Sequence, residues 1–321
     1  MQEPSIENTS LSPAGIGFAV ACYSLWGLVP IYWKAVSAIP AAEVLIPRIV
    51  WTAILLLVLA RVTGRQAETW ELGRRGWLWT LVAALLLSGN WGIFIHAIQS
   101  NQVLATSLGY YITPLTSIVL GLLVLGERLN RIQVLAVSIA AIGVATMTIR
   151  AGTLPWISLA LAGSFSLYGL IHKLAPQPAF AGLLREMLVL SPIALVGLGW
   201  LFANPTAKAG LIDASFETQA LLSLTSVVTA VPLLLFHAAT RRLPLIAVGM
   251  FQYIAPTITL GLAVHIYGEH FTLSHALGFG CVWIGLSVFT LDSLRRTRSL
   301  ARMNRVRTPD VESSSPLHIR R

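Results

Sequence analysis

Ten apolar runs set the terms for this chain: about 14–33, 43–62, 77–99, 102–125, 131–149, 154–173, 181–202, 218–240, 244–267 and 273–294. Each has the length needed to cross a bilayer's hydrocarbon, roughly 17 to 25 residues. No water is present there to satisfy backbone N–H and C=O groups, so each run must be a helix that satisfies its own. Composition agrees. The 321 residues are 55% apolar and 11% charged, with mean hydropathy +0.74, whereas soluble domains carry about a quarter charged residues. The expected fold is an all-α polytopic membrane protein with ten transmembrane helices. Gaps such as 126–130 and 150–153 fit only tight hairpins, and 63–76 and 203–217 leave no room for a soluble domain.

The chain contains one stretch twice. Tyr111-Ile112-Thr113-Pro114 is followed twelve residues later by Gly126-Glu127, and Tyr253-Ile254-Ala255-Pro256 twelve residues later by Gly268-Glu269. The copies lie 142 residues apart. The same offset relates Ser24-Leu25-Trp26-Gly27-Leu28 to Ser166-Leu167-Tyr168-Gly169-Leu170, and Ile142-Gly143 to Ile284-Gly285. One register across unrelated motifs indicates a duplicated unit. The expected organisation is an N-terminal tail (1–13), a first five-helix repeat (14–149), a second (154–294) and a basic tail (295–321). That last tail is Arg- and Ser-rich, contains Pro309 and Pro316, and is expected to be disordered. Residues 1–13 hold Glu3 and Glu7 and no Lys or Arg, unlike the basic start of a cleavable signal, so the first span is expected to stay. Five is odd, so the second copy must sit upside down relative to the first. Inverted repeats of this kind are a transporter architecture, with the substrate held near mid-membrane between the halves.

The net charge of +9 does not form a nucleic-acid-binding face. Eight of the 22 Lys and Arg residues follow Leu294, and most others lie in short gaps between spans. If the N-terminus is inside, inside segments hold Arg61, Arg65, Arg74, Arg75, Arg128, Arg131, Lys173, Arg241, Arg242 and the eight tail arginines, seventeen in all. Outside segments hold three, Lys34, Arg150 and Lys208, and Arg48 and Arg185 fall within spans. By the positive-inside rule both termini are expected in the cytoplasm, the basic tail being suited to anionic lipid headgroups. Cys22 and Cys281 both lie inside apolar runs and read as packing residues.

Further motifs carry a family resemblance: Tyr23-Ser24-Leu25-Trp26-Gly27 through Tyr32-Trp33-Lys34, Asn90-Trp91, Ser107-Leu108-Gly109-Tyr110-Tyr111-Ile112-Thr113-Pro114, Pro232-Leu233-Leu234-Leu235-Phe236, Arg241-Arg242-Leu243-Pro244-Leu245 and Gln252-Tyr253-Ile254-Ala255-Pro256. Over about residues 14–292 the sequence resembles the RarD group of EamA-type transporters, in the drug/metabolite transporter superfamily. The resemblance implies a ten-helix permease of the bacterial inner membrane that exports a small metabolite. Two positions depart from the family pattern: Pro47, where a polar residue is expected before Arg48, and Gln99, where a shorter amide is usual.

Arg48 and Arg185, each near the start of the second helix of its half, are the sharpest site candidates. The topology puts Arg48 near the outer face and Arg185 near the inner. Each either attracts an anionic or zwitterionic substrate at a gate or snorkels to the headgroups and binds nothing. Glu186 is the candidate proton-coupling group. Asn90, Tyr111, Gln252 and Tyr253 suit a mostly apolar concave site, or serve as helix glue and interfacial anchors. Pro114 and Pro256 are expected to break their helices at matched points. Glu127 and Glu269 read as partners for a neighbouring helix end. Ala136 and Gly143, with Gly278 and Gly285, read as small packing faces between the halves.

Other chemistries lack their residues. The three lysines follow Trp33, His172 and Ala207, so no Gly-Lys phosphate loop exists. His265, Glu269, His270 and His275 match no metal signature, and no cofactor is expected. Ser164 with His172 lacks an orienting acid, and Asp213 and Asp292 lie at span edges or in a loop, so no enzyme is expected. The resulting expectation is a proton-coupled secondary permease of a small organic metabolite working by alternating access. A passive channel or a structural membrane protein stands as the alternative, and neither substrate nor oligomeric state is legible.

Overall fold

The computed structural model describes residues 11–36, 39, 41–65, 72–99, 103–150, 156–203, 215–266 and 273–307. Its helices are α1 (Pro13–Ala35), α2 (Ala41–Val62), α3 (Arg74–Gln99), α4 (Val103–Leu123), α5 (Arg131–Arg150), α6 (Trp156–Leu174), α7 (Ala179–Ala203), α8 (Phe216–Thr240), α9 (Leu245–Gln252), α10 (Ile254–His265) and α11 (Leu273–Arg307). Eight spans are long and apolar enough to cross a membrane, α9 and α10 together forming one, and two shorter apolar stretches, Gly109–Leu123 and Arg131–Thr146, complete the ten.

Helix ends are set by local chemistry. Ser12 caps α1, accepting from the Gly15 N–H at 3.3 Å with Pro13 just inside. Asn130 and Gln133 cap α5 reciprocally. Oδ1 of Asn130 accepts from the N–H groups of Ile132 and Gln133, and Oε1 of Gln133 accepts from the Asn130 N–H. The same residues reach across to α11, where Asn130 Nδ2 donates to Asp292 at 2.6 Å and Gln133 to Ser293 at 3.4 Å. Gly126 turns the chain between α4 and α5 at φ +66°, a value that favours glycine. Glu127 then caps the neighbouring α9, its two oxygens accepting from the Leu245 and Ile246 N–H groups at 2.6 and 2.8 Å. It is the helix-end partner its spacing suggested, and its charge suits the positive end of α9.

Among the described residues, the principal interfaces join the first five helices to the last six. They are α5 with α11, α4 with α6 and α9, α1 with α8 and α10, α2 with α7 and α8, and α3 with α6. Exchanging the two halves maps this pattern onto itself: α1–α8 becomes α6–α3, and α1 against α10 becomes α6 against α4. The equivalent helices α5 and α11 run antiparallel. A Cβ on Gly143 would lie 2.6 Å from the Gly278 carbonyl oxygen, and one on Gly285 2.5 Å from that of Ala136. The small faces are therefore backbone-to-backbone contacts between inverted halves. Trp26 and Tyr168, related by the 142-residue offset, both meet Phe236, at 5.9 and 5.7 Å between ring centroids. Cys22 and Cys281 are free, and the Cys22 thiol donates to the Pro232 carbonyl.

Two expectations need correction. Pro114 does not break its helix, since α4 is continuous through it, whereas the matched span is interrupted at Tyr253 ahead of Pro256. The two copies differ beside the proline: the Thr113 hydroxyl donates to the Gly109 carbonyl at 2.7 Å, and its counterpart Ala255 has no hydroxyl. The basic segment is also helical as far as Arg307. It contains no Gly or Pro between 295 and 307, and Arg296 pairs with Asp292 one turn back at 3.2 Å.

Gly285→Ala is expected to lower the thermal unfolding midpoint, because overpacking a tight contact costs about 1–3 kcal/mol. Gly280→Ala, whose Cβ would meet nothing within 4 Å, is the matched control and should unfold like the parent.

Candidate functional site

The helix order places α1, α3, α5, α7 and α9 with their starts at one face, and α2, α4, α6, α8 and α11 with theirs at the other. Glu186 lies seven residues into α7 and Arg48 seven residues into α2. At 1.5 Å per residue, each is about 10 Å inside its own, opposite, face.

Around Glu186 three helices bring together a buried polar cluster. Tyr168 and His172, one turn apart on α6, face Glu186 on α7 and His237 near the end of α8. All four are at most 6% exposed. The Tyr168 hydroxyl lies 2.9 Å from Oε2 of Glu186 and 2.6 Å from Nε2 of His237. Nδ1 of His237 faces the Ala179 carbonyl at 3.3 Å. Nε2 of His172 is 3.1 Å from Oε1 of Glu186, outside hydrogen-bond geometry, and the His172 and His237 rings lie 3.8 Å apart between centroids, tilted by 39°.

Hydrogen counting makes this arrangement specific. A neutral His237 with its hydrogen on Nδ1, toward Ala179, presents a lone pair at Nε2. An ionised Glu186 presents another. The single phenolic hydrogen between them can serve only one. Placing the histidine hydrogen on Nε2 instead turns the Nδ1 lone pair onto the Ala179 carbonyl. One added proton, on Glu186 or His237, lets every contact be made. One donor atom each from His172, Glu186 and His237 falls within 4.8 Å of the others, a set with metal-ligating chemistry. Tyr168 already engages two of those residues.

Arg48 has a different environment. It is 7% exposed, and its guanidinium lies over the Trp91 ring at 3.9 Å and 5.9 Å from the Trp33 ring. Its Nε and Nη2 have no hydrogen-bond partner among the described residues. Glu43, on the same helix, is buried too and its Oε2 is likewise unpartnered, so the two do not pair. An arginine at the centre of a bilayer costs roughly 2.5–3.5 kcal/mol on insertion scales. The aromatic face offsets part of that, while two polar N–H groups stay unmatched.

The remaining sequence candidates separate. Arg185, beside Glu186, turns elsewhere: its Nη1 donates to Gln177 at 2.7 Å, and Gln177 donates to Thr80 on α3. Asn90 binds α3 to α6, its Nδ2 reaching the Leu161 carbonyl at 3.0 Å and Ser164 at 2.9 Å. Tyr111 packs edge-on against Phe279 at 5.2 Å. Gln252 ends α9 and its Oε1 lies 3.2 Å from the Ser117 hydroxyl. That hydroxyl also contacts Ser166, which donates to the Thr113 carbonyl. Tyr253, at the helix break, is fully buried, and its hydroxyl has no hydrogen-bond partner among the described residues. Gln99's side chain, Glu269 and His270 fall outside the described residues. Tyr168 and His172 were missed as site residues. Their i, i+4 spacing was the available signal, and it is common in helices packed for other reasons.

The EamA-like transporter family matches residues 13–149. An "Uncharacterized transporter" of Vibrio cholerae is 43% identical over 284 residues, 88% of this chain and 93% of that one. "Protein RarD" of Escherichia coli is 38% identical over 286 residues, 88% and 96% of the two chains. A solved crystal structure superposes with a TM-score of 0.70 at 15% identity, over 88% of this chain and 98% of its own, which shows a shared fold.

Removing the hydroxyl that joins α6, α7 and α8 is expected to leave buried groups unmatched. Tyr168→Phe should therefore destabilise the protein by about 1–3 kcal/mol, measured as a lowered unfolding midpoint in detergent or nanodiscs.

Proposed function

Because this chain belongs to the RarD group of EamA-like transporters and is a multi-pass membrane transporter, we propose that it is a proton-coupled secondary permease. In this reading it exports a small organic metabolite across the bacterial plasma membrane by alternating access, with both termini in the cytoplasm. The observation that carries the proposal is the Glu186–Tyr168–His237 network, which has room for one added proton about 10 Å beneath the face where the N-terminus lies.

The coupling follows from burial. An ionised carboxylate taken out of water costs several kcal/mol unless its partners are complete. When Glu186 is ionised, that cost favours a state in which α7 parts from α6 and α8 and water reaches the carboxylate. Protonation completes the network and favours closure at that face. Closure on one side of an inverted pair permits opening on the other. His172 and His237 adjust the field at Glu186, and Tyr168 passes the hydrogen bond between acid and imidazole. Gln252, Tyr253 and the break between α9 and α10 lie about 10–12 Å beneath the same face as Glu186, where the halves meet and a substrate would be held. Arg185 holds α7 against α3 through Gln177 and Thr80.

The substrate for the test is the compound whose level differs most between a deletion strain and an overexpressing strain. In proteoliposomes an imposed pH gradient should accelerate its movement, and Glu186→Gln should lose at least tenfold of that gradient-driven flux while inserting normally. Flux indifferent to the gradient would remove the coupling and favour a passive channel.

A further inference from the structure

We propose that Arg48 is a receptor for the carboxylate of a small organic acid, its Nε–H and Nη2–H pair gripping both oxygens while Trp91 backs the guanidinium plane. This rests on the transporter reading and specifies the chemistry of its substrate.

The argument starts from which atoms are free. Nε and Nη2 form one straight edge of the guanidinium, the edge that meets a carboxylate through two parallel hydrogen bonds. Both are buried and unpartnered among the described residues. The guanidinium carbon lies over the Trp91 ring at 3.9 Å, so that ring covers one face of the group and leaves its edge for a ligand. The second ring, Trp33, 5.9 Å from the guanidinium, packs on Tyr32 at 5.6 Å, and the Tyr32 hydroxyl donates to the Leu221 carbonyl of α8 at 2.8 Å. An arginine that merely snorkelled to headgroups would have its head exposed, not 93% covered. One that was purely structural would spend its N–H groups on carbonyls, as Arg242 does on Ala238.

Charge narrows the ligand further. The nearest acid along α2, Glu43, makes no ion pair with Arg48 among the described residues, which leaves the positive charge of the guanidinium unmatched there. A monocarboxylate matches it, whereas a phosphate dianion would bring an unbalanced charge into an apolar setting. The flanking indoles favour a flat or apolar body behind the carboxylate. The site lies toward the face opposite Glu186, so acid and proton would be held at opposite ends of the molecule.

The experiment uses the full chain in lipid nanodiscs, with benzoate as probe and calorimetric titration as readout. Benzoate is expected to bind saturably, and methyl benzoate, which has the same ring and no charge, to show no binding at the same concentrations. Arg48→Lys keeps the charge but loses the two-point edge, and should weaken binding at least tenfold. Arg48→Gln should abolish it, whereas Arg75→Gln, an exposed control, should bind like the parent. Monodispersity and the unfolding midpoint establish that each variant is folded, and Arg48→Lys carries the test if Arg48→Gln does not fold. No saturable benzoate binding by the parent, binding that survives Arg48→Gln, equal affinity in Arg48→Lys, or tighter binding of phenyl phosphate than of benzoate would each overturn the proposal. Binding needs no gradient, so the two readings fail separately. Arg48-dependent binding without gradient-driven flux sinks the coupled permease alone, and coupled flux without Arg48-dependent binding sinks the receptor alone.

Discussion

The structure depends on the interlocking of two inverted halves. Lipid provides no hydrophobic drive between helices, so association needs close van der Waals packing and interhelical hydrogen bonds. Both are concentrated between the halves. Gly143 and Gly285 bring α5 and α11 within carbonyl contact, and Asn130 and Gln133 tie one end of that pair to Asp292 and Ser293. Glu127 joins α4 to α9 at its backbone. Each half therefore finds its main partners in the other.

Duplication produced matched scaffolds with unmatched chemistry. Trp26 and Tyr168 are equivalent in register and both reach Phe236, yet only Tyr168 carries its ring into a hydrogen-bonded acid cluster. The start of α2 holds a guanidinium against indole rings, and the start of α7 holds a carboxylate among imidazoles. Unpaired buried polar groups are costly in a low dielectric, and complete networks are stabilising. A proton completes one of these sites and an oxyanion completes the other. In the coupled-permease reading, that difference between the two ends is what would give the molecule a direction that its symmetric frame lacks.

Much of the frame was legible because it follows from run length and register. Ten apolar runs set ten spans, and the offset that relates Gly143 to Gly285 identified the faces that meet. Glu127 was readable as a helix-end partner because it follows a glycine just past a helix. The polar cluster was not readable, since its four residues come from three helices whose rotations no single-helix pattern encodes. Of the two roles its residue type allowed for Asn90, the structure shows the amide nitrogen binding α3 to α6 through Leu161 and Ser164. The two Tyr-Ile-x-Pro copies looked equivalent, yet α4 runs on through Pro114 while the matched span is interrupted at Tyr253. The helix past Leu294 was hidden by its charge, which signals topology more strongly than conformation.

The account stands most directly on the two faces opening in turn. In a background with Cys22 and Cys281 replaced, spin labels at Arg75→Cys with Arg241→Cys would report the face beneath which Glu186 lies. Labels at His96→Cys with Phe216→Cys would report the opposite face. Distances from electron–electron double resonance at acid and alkaline pH should change in opposite senses for the two pairs, the Arg75–Arg241 pair shortening as pH falls. Changes of the same sense, or none at either face, would contradict it.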